Sequence, residues 1–265
     1  MDTDRVPLEF ACCEVACEGR AELVRRGLDS FRDKLVGVDW ERSTCYLNLD
    51  PFGDDGHRYE AEMVAVFQEH FGLVEWQAHL MAHFPSSLKW TWSQPRGPVF
   101  FQLEADWILT HAVDVCEMIY MLAQRRDLVA VNLRAHTGDM GSRLCLSPGL
   151  VRTGVARQIA EQLNTTDNPE AQLRTPEFRT GGRSLAAALV SEHWPGFGVL
   201  RDIGRPWQAE RGIVKDVADG HGAGNFLRWR EKQPQRCTTE AQSTQREETG
   251  ASGLEEEGGW YESAS

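Results

Sequence analysis

No stretch of this chain approaches the roughly 18 consecutive apolar residues of a membrane span, and the opening MDTDRVPLEF lacks a basic segment followed by an apolar one. The reading is a soluble, unexported, cytoplasmic protein that does not meet a membrane. Positive charge is also scarce: 28 Lys+Arg face 40 Asp+Glu, a net charge of −12. That excludes polyanion binding driven by bulk charge, so any polyanion must be held at a local site. The seven cysteines fall into no C-x-x-C spacing and read as reduced core thiols rather than zinc ligands or a redox pair. Absent too are a G-x-x-x-x-G-K-S/T phosphate loop and a G-x-S-x-G elbow, and Gly220-His221-Gly222-Ala223-Gly224 has neither the spacing nor the place of a dinucleotide loop. ATP in a P-loop, NAD and serine-hydrolase chemistry therefore drop out. No internal repeat is present, and no protein partner is called for.

The 265 residues, 41% of them apolar, suffice for one large α/β domain. The segment 231–265 carries eight acids against three bases and almost no aliphatics, so it reads as a disordered acidic tail behind a folded body of residues 1–230. Within the body, buried strands are expected at Leu8–Val15, Cys45–Leu49, Leu73–Gln77 and Val99–Leu103. Helices fit Ala21–Val36, Glu60–Phe71 and Ser86–Ser93. This βαβαβαβ alternation predicts a mostly parallel sheet covered by helices on both faces. Further strands are expected at Leu128–Ala135, Arg143–Leu146 and Gly198–Leu200, with helices over Val151–Leu163 and from Pro169.

Open α/β sheets bind ligands beyond the carboxyl ends of their strands. After the first strand stand Glu18 and Arg20, after the second Asn48 and Asp50, after the fourth Glu104 and Asp106. In extended backbone Glu104 and Asp106 would project to one side and share a hard divalent cation, Mg2+ or Mn2+; the plain alternative is a solvated strand end. His79 and His83 lack the intervening glutamate of a zinc protease site. Arg174–Arg183 form a locally basic loop, read as a phosphate contact or simply a solvated face.

Four segments resemble glycosyltransferases of the GT-A fold: Cys17-Glu18-Gly19-Arg20 running into Leu28-Asp29-Ser30-Phe31; Tyr46-Leu47-Asn48-Leu49-Asp50-Pro51; Gln102-Leu103-Glu104-Ala105-Asp106-Trp107; and Arg201-Asp202-Ile203-Gly204-Arg205-Pro206-Trp207 with Arg211-Gly212 and Lys215. More narrowly, the Asp106-Trp107 ending of the third and the stretch Asp202-Ile203-Gly204-Arg205-Pro206-Trp207 of the fourth look like phage enzymes that glycosylate modified DNA bases. The resemblance implies a GT-A domain using a UDP-sugar donor and a metal at Glu104 and Asp106, Glu104-Ala105-Asp106 replacing the usual aspartates. Glu18, Arg20, Asn48 and Asp50 would cradle uracil and ribose, with Lys89 near the base or a phosphate. Arg201, Arg205 and Lys215 would offset charge on the leaving diphosphate. Glu170 is the first choice as base and Asp202 the second. The implied acceptor is a hydroxymethylated pyrimidine in DNA, in host cytoplasm for a phage protein. A protein, lipid or small-molecule acceptor, or a non-catalytic nucleotide-sugar module, stays open beside it.

Overall fold

The structure is a computed structural model. It describes residues 5–53, 55–134, 144, 146–173, 179–180, 183–184, 190–193, 198–218 and 226–231. The acidic tail beyond residue 231, the loop His136–Gly141 and most of Arg174–Arg183 lie outside these residues.

The central strands are β1 (Glu9–Ala16), β2 (Thr44–Pro51), β3 (Leu73–Ala78), β4 (Val99–Leu103), β5 (Leu128–Asn132), β6 (Gly149–Arg152) and β7 (Val190–His193). They form one sheet in the order β7-β5-β6-β4-β1-β2-β3. All neighbours run parallel except at β6, which is antiparallel to β4 and β5. The mostly parallel α/β sheet that the alternation predicts is the one found.

Period-two alternation decides what each face carries. Phe10 and Cys12 of β1, Leu47 and Leu49 of β2, and Phe101 and Leu103 of β4 join one core. It is covered by α1 (Arg20–Lys34), α2 (Glu60–Gln68) and α4 (Val115–Gln124). Phe10 is fully buried, with ring centroids 4.9 Å from Phe71 and 5.1 Å from Trp40, and contributes about 2–3 kcal/mol by burial alone. Ala11, Phe100, Ala130 and Val151 face the other way, against α3 (Phe84–Ser93) and α5 (Thr153–Gln162). Gln102 is tolerated in the middle of β4 because Trp92 Nε1 donates to its Oε1 at 2.6 Å.

Several expectations need correction. Leu144 and Leu146 are not in a strand; the strand is Gly149–Arg152, whose last two residues the spacing assigns to a helix that in fact begins at Thr153. Pro148-Gly149 reads locally as helix entry, yet here it admits the chain into the slot between β4 and β5. Helix α4 is absent from the sequence-based elements, although Asp114 accepts the Cys116 N–H at 2.8 Å and Asp114-Val115-Cys116-Glu117 carries a capping-box pattern. The late strand is Leu200–Asp202, paired with Trp107–Leu109, rather than Gly198–Leu200.

Candidate functional site

The chain lays β1, β2 and β3 side by side in one direction and then crosses back to place β4 on the other flank of β1. The carboxyl ends of β1 and β4 therefore part at a topological switch point, where such sheets open a crevice. A cleft of about 200 Å3 lies there. Among the sequence-based candidates, Arg20, Asp50, Glu104, Asp106, Glu170, Asp202 and Arg205 all line it.

Glu104 and Asp106 reach the cleft by a different route from the one expected. The backbone beyond β4 is not extended but turns, the Trp107 N–H donating to the Glu104 carbonyl at 3.3 Å. Two glycines allow this turn to sit where it does. A Cβ on Gly27 of α1 would overlap the Ala105 carbonyl, and one on Gly204 would overlap the Asp106 carboxylate. Gly204 opens α6 (Gly204–Glu210), and the N–H groups of Ile203 and Gly204 donate to the Asp106 carbonyl at 2.9 and 3.1 Å.

Beneath the turn lies a charge network whose central acid sequence reasoning passes over. Glu14 shares the β1 face of Phe10 and Cys12, yet it is an acid, and 3% exposed. Its partner is Arg20, the first residue of α1, turned inward after Gly19 in the left-handed region (φ 69°). Arg20 Nη2 donates to Glu14 at 2.9 Å and to Asp106 Oδ2 at 3.0 Å. The Ala105 N–H donates to the other Glu14 oxygen at 3.1 Å, and the Trp207 ring lies 5.3 Å from the guanidinium. Burial pushes the Glu14 carboxyl above its ordinary value while Arg20 pulls it back. Burial also works against the Arg20 charge, which the two carboxylates more than offset. An acid inside a run of apolar strand residues is the signal that points to it, since a buried carboxylate requires a cation.

The rest of the cleft is less uniform. Asp50 is held by Ser87 Oγ (2.9 and 3.0 Å), the His83 N–H (3.2 Å) and Asn48 Nδ2 (3.2 Å). Burial raises its pKa and the Ser87 bond lowers it. Asp202 accepts the Arg205 N–H at 2.9 Å and pairs with Arg205 Nε at 3.1 Å, fastening the start of α6. Glu170 enters from the short helix Pro169–Gln172, whose first turn is tied by the Glu170 N–H to Asn168 Oδ1 at 2.9 Å. Arg134 also lines the cleft, stacked 5.2 Å over Trp107, a residue that no sequence motif singles out.

Other candidates lie elsewhere. Asn48 is fully buried, its amide spent on Asp50 and Gln77 within the sheet. Glu18 lines a separate hollow beside Phe52, Tyr59 and Arg211. Lys89 lies in a groove between α3 and α5. Arg201 is exposed on the strand paired with Trp107–Leu109, and Lys215 belongs to the strand Ile213–Ala218, its side chain outside the described residues.

Glu104 and Asp106 give the cleft two hard oxygen donors suited to Mg2+ or Mn2+, ions that fill their remaining positions with phosphate oxygens and water. Among the described residues no group of three or more His, Cys, Asp or Glu is arranged to hold a metal, so such an ion would depend on the substrate to complete its shell. Arg20 already occupies Asp106 Oδ2 at 3.0 Å, so a cation in the cleft would share that carboxylate with Arg20.

No family model and no curated protein matches the chain. Among solved structures it is similar to a mannosyltransferase from Pyrobaculum calidifontis in complex with GDP-Man and Mn2+ (11% identity, TM-score 0.44, 79% of this chain and 64% of that one). It is also similar to S. aureus TarS (8%, 0.46, 71% and 35%) and to a CMP:2-keto-3-deoxy-manno-octonic acid synthetase complexed with CTP (10%, 0.44, 76% and 96%). The chain thus spans less than two thirds of the first two. Likenesses this slight carry no weight for function. No helix among the described residues is long and apolar enough to cross a membrane.

Proposed function

We propose that the cleft is the active site of a glycosyltransferase that moves a sugar from a nucleotide-sugar, UDP-glucose in the first instance, to a hydroxyl group. The observation that carries this reading is the meeting of Glu104, Asp106 and Glu170 in one cleft at the switch point. Glu104 and Asp106 would hold Mg2+ or Mn2+, the chemistry it supplies being neutralisation of the leaving diphosphate. Arg205 and Arg134 line the same cleft and add fixed positive charge for that group.

Glu170 is assigned as the base. It takes the acceptor hydroxyl proton as the acceptor oxygen bonds to the anomeric carbon, and the electrons of the broken carbon–oxygen bond pass to the diphosphate. Asp202 is the second choice; its carboxylate is engaged by the backbone and side chain of Arg205 at the start of α6. The acceptor we propose is a hydroxymethylated pyrimidine in DNA. It rests on the resemblance of the segments ending at Trp107 and Trp207 to phage enzymes, while the net charge of −12 favours a protein, lipid or small-molecule hydroxyl.

The test is a screen of UDP-sugars with Mn2+ against DNA containing hydroxymethylcytosine or hydroxymethyluracil, unmodified DNA and simple sugar acceptors, read by mass spectrometry. Sugar addition confined to modified DNA supports the full reading, and addition only to other hydroxyls corrects the acceptor. Equal slow donor hydrolysis by wild type and Asp106→Ala removes the metal role of Asp106, and no consumption of any donor leaves at most a binding module.

A further inference from the structure

A second cavity, of about 600 Å3, lies outside the switch-point cleft, on the sheet face covered by α3 and α5. Helix α3 serves both: Phe84 at its start lines the cleft, whereas Lys89 and Trp90 line this groove. Arg157 and Glu161 of α5 and Gln77 of the edge strand β3 also line it.

The cations of the groove differ from several others among the described residues. Arg25, Arg32, Arg58, Arg125 and Arg205 each meet a carboxylate. Lys89 and Arg157 meet none among the described residues; each donates one bond at the long limit of 3.5 Å to a neutral carbonyl, that of Leu163 or Gln94. Arg157 Nε and the ring Nε2 of nearby His79 are buried without any partner. In a chain with 40 acids and 28 bases, two half-buried cations share a groove whose one carboxylate, the exposed Glu161, forms no ion pair with either, and they call for an anion from outside, because charged donors away from bulk water need acceptors. The volume is far larger than one phosphate requires and suits a small-molecule ligand. Trp90 supplies an aromatic wall of the kind on which bases stack. The Gln77 amide N–H is spent on Asn48, leaving its carbonyl oxygen as an acceptor for a base N–H.

We propose that this groove binds a nucleoside phosphate, with the phosphate on Lys89 and Arg157 and the base against Trp90. The assignment does not rest on the transfer reading of the cleft.

Isothermal titration of the full chain with dTMP, thymidine, inorganic phosphate and a short oligothymidylate tests it. Wild type binds dTMP, and thymidine binds at least tenfold more weakly. Lys89→Gln and Arg157→Gln each cost about tenfold, Trp90→Leu costs about tenfold, and Asp106→Asn leaves binding unchanged. Oligothymidylate binding tighter than dTMP makes a nucleic-acid strand the source of the nucleotide, and weaker binding makes it a free nucleotide; both uphold the site. No dTMP binding at millimolar concentration overturns the proposal. So does binding that survives in Lys89→Gln and Arg157→Gln but is lost in Asp106→Asn, since that places the ligand in the cleft. Lys89→Gln removes only one long bond to a carbonyl, so its melting temperature stays at the wild-type value and a loss of binding is not a loss of fold.

Discussion

Replacing Arg20 with methionine keeps much of the side-chain volume and deletes the cation between Glu14 and Asp106. Arg20 is 3% exposed, the Glu14 side chain 2% and the Asp106 side chain 20%, so Glu14 becomes an uncompensated buried charge. Breaking a buried pair in this way costs about 3–5 kcal/mol, against a total stability of about 5–15 kcal/mol for an ordinary domain. For a domain this long the melting temperature falls by about 6–12 °C for the lower figure. The loss depends on pH. Burial already raises the folded-state pKa of Glu14, and Arg20 opposes that rise, so Arg20→Met lifts it further. A carboxyl with a raised folded pKa contributes stability below its unfolded pKa and loses it as pH rises through the folded value. The deficit of Arg20→Met is therefore smaller at pH 5 than at pH 8. Adding Glu14→Gln removes the stranded charge, recovering most of the deficit and flattening its pH dependence. Chemical denaturation at several pH values measures this. A deficit under about 1 kcal/mol that is the same at pH 5 and pH 8 refutes the reasoning, since an exposed or water-bridged pair behaves that way.

Gly204→Ala drives a methyl group into the Asp106 carboxylate; it should destabilise by about 1–3 kcal/mol and reduce Mn2+-dependent donor consumption at least tenfold, as measured by UDP release. Saturating Mn2+, at about 100 times its Kd, should stabilise wild type by about 2.7 kcal/mol, seen as a rise in melting temperature that Asp106→Ala abolishes and a chelator reverses. Ser87→Ala removes the hydroxyl that donates to Asp50. It should cost about 1–2 kcal/mol at pH 8 and less at pH 4, because the pKa of Asp50, already raised by burial, rises again and protonation relieves the loss. Urea melts at the two pH values decide it, an equal cost at both counting against the assignment.

The elements were legible where burial is one-sided and local. β1, β2 and β4 emerge from runs of apolar residues, and α1, α2 and α3 from helical spacing. The short strand Gly149–Arg152 was not legible, because four residues after a Pro-Gly pair carry no period of their own and gain strand structure only by filling a slot between two strands already placed. The candidate acids stand just past the carboxyl ends of the strands, a position that topology alone makes significant. Asn48 shows the limit of position as a guide: it stands where a ligand contact is expected, yet its amide is consumed by Asp50 and Gln77.

By itself, the amino-acid sequence determined the α/β class, the strand-end position of Glu104 and Asp106, and the lack of a phosphate loop, since each depends on residue type and short-range spacing. Only the tertiary structure decided that Arg20 turns inward to join Glu14 with Asp106, residues 6 and 86 positions away from it along the chain. It also decided that Glu170 and Asp202 share a cleft with them while Lys89 does not. Strand order sets those meetings. A charge in a strand can find its counter-ion only after the sheet has brought distant segments together, and the cost of a buried unpaired charge then selects the arrangement in which it does.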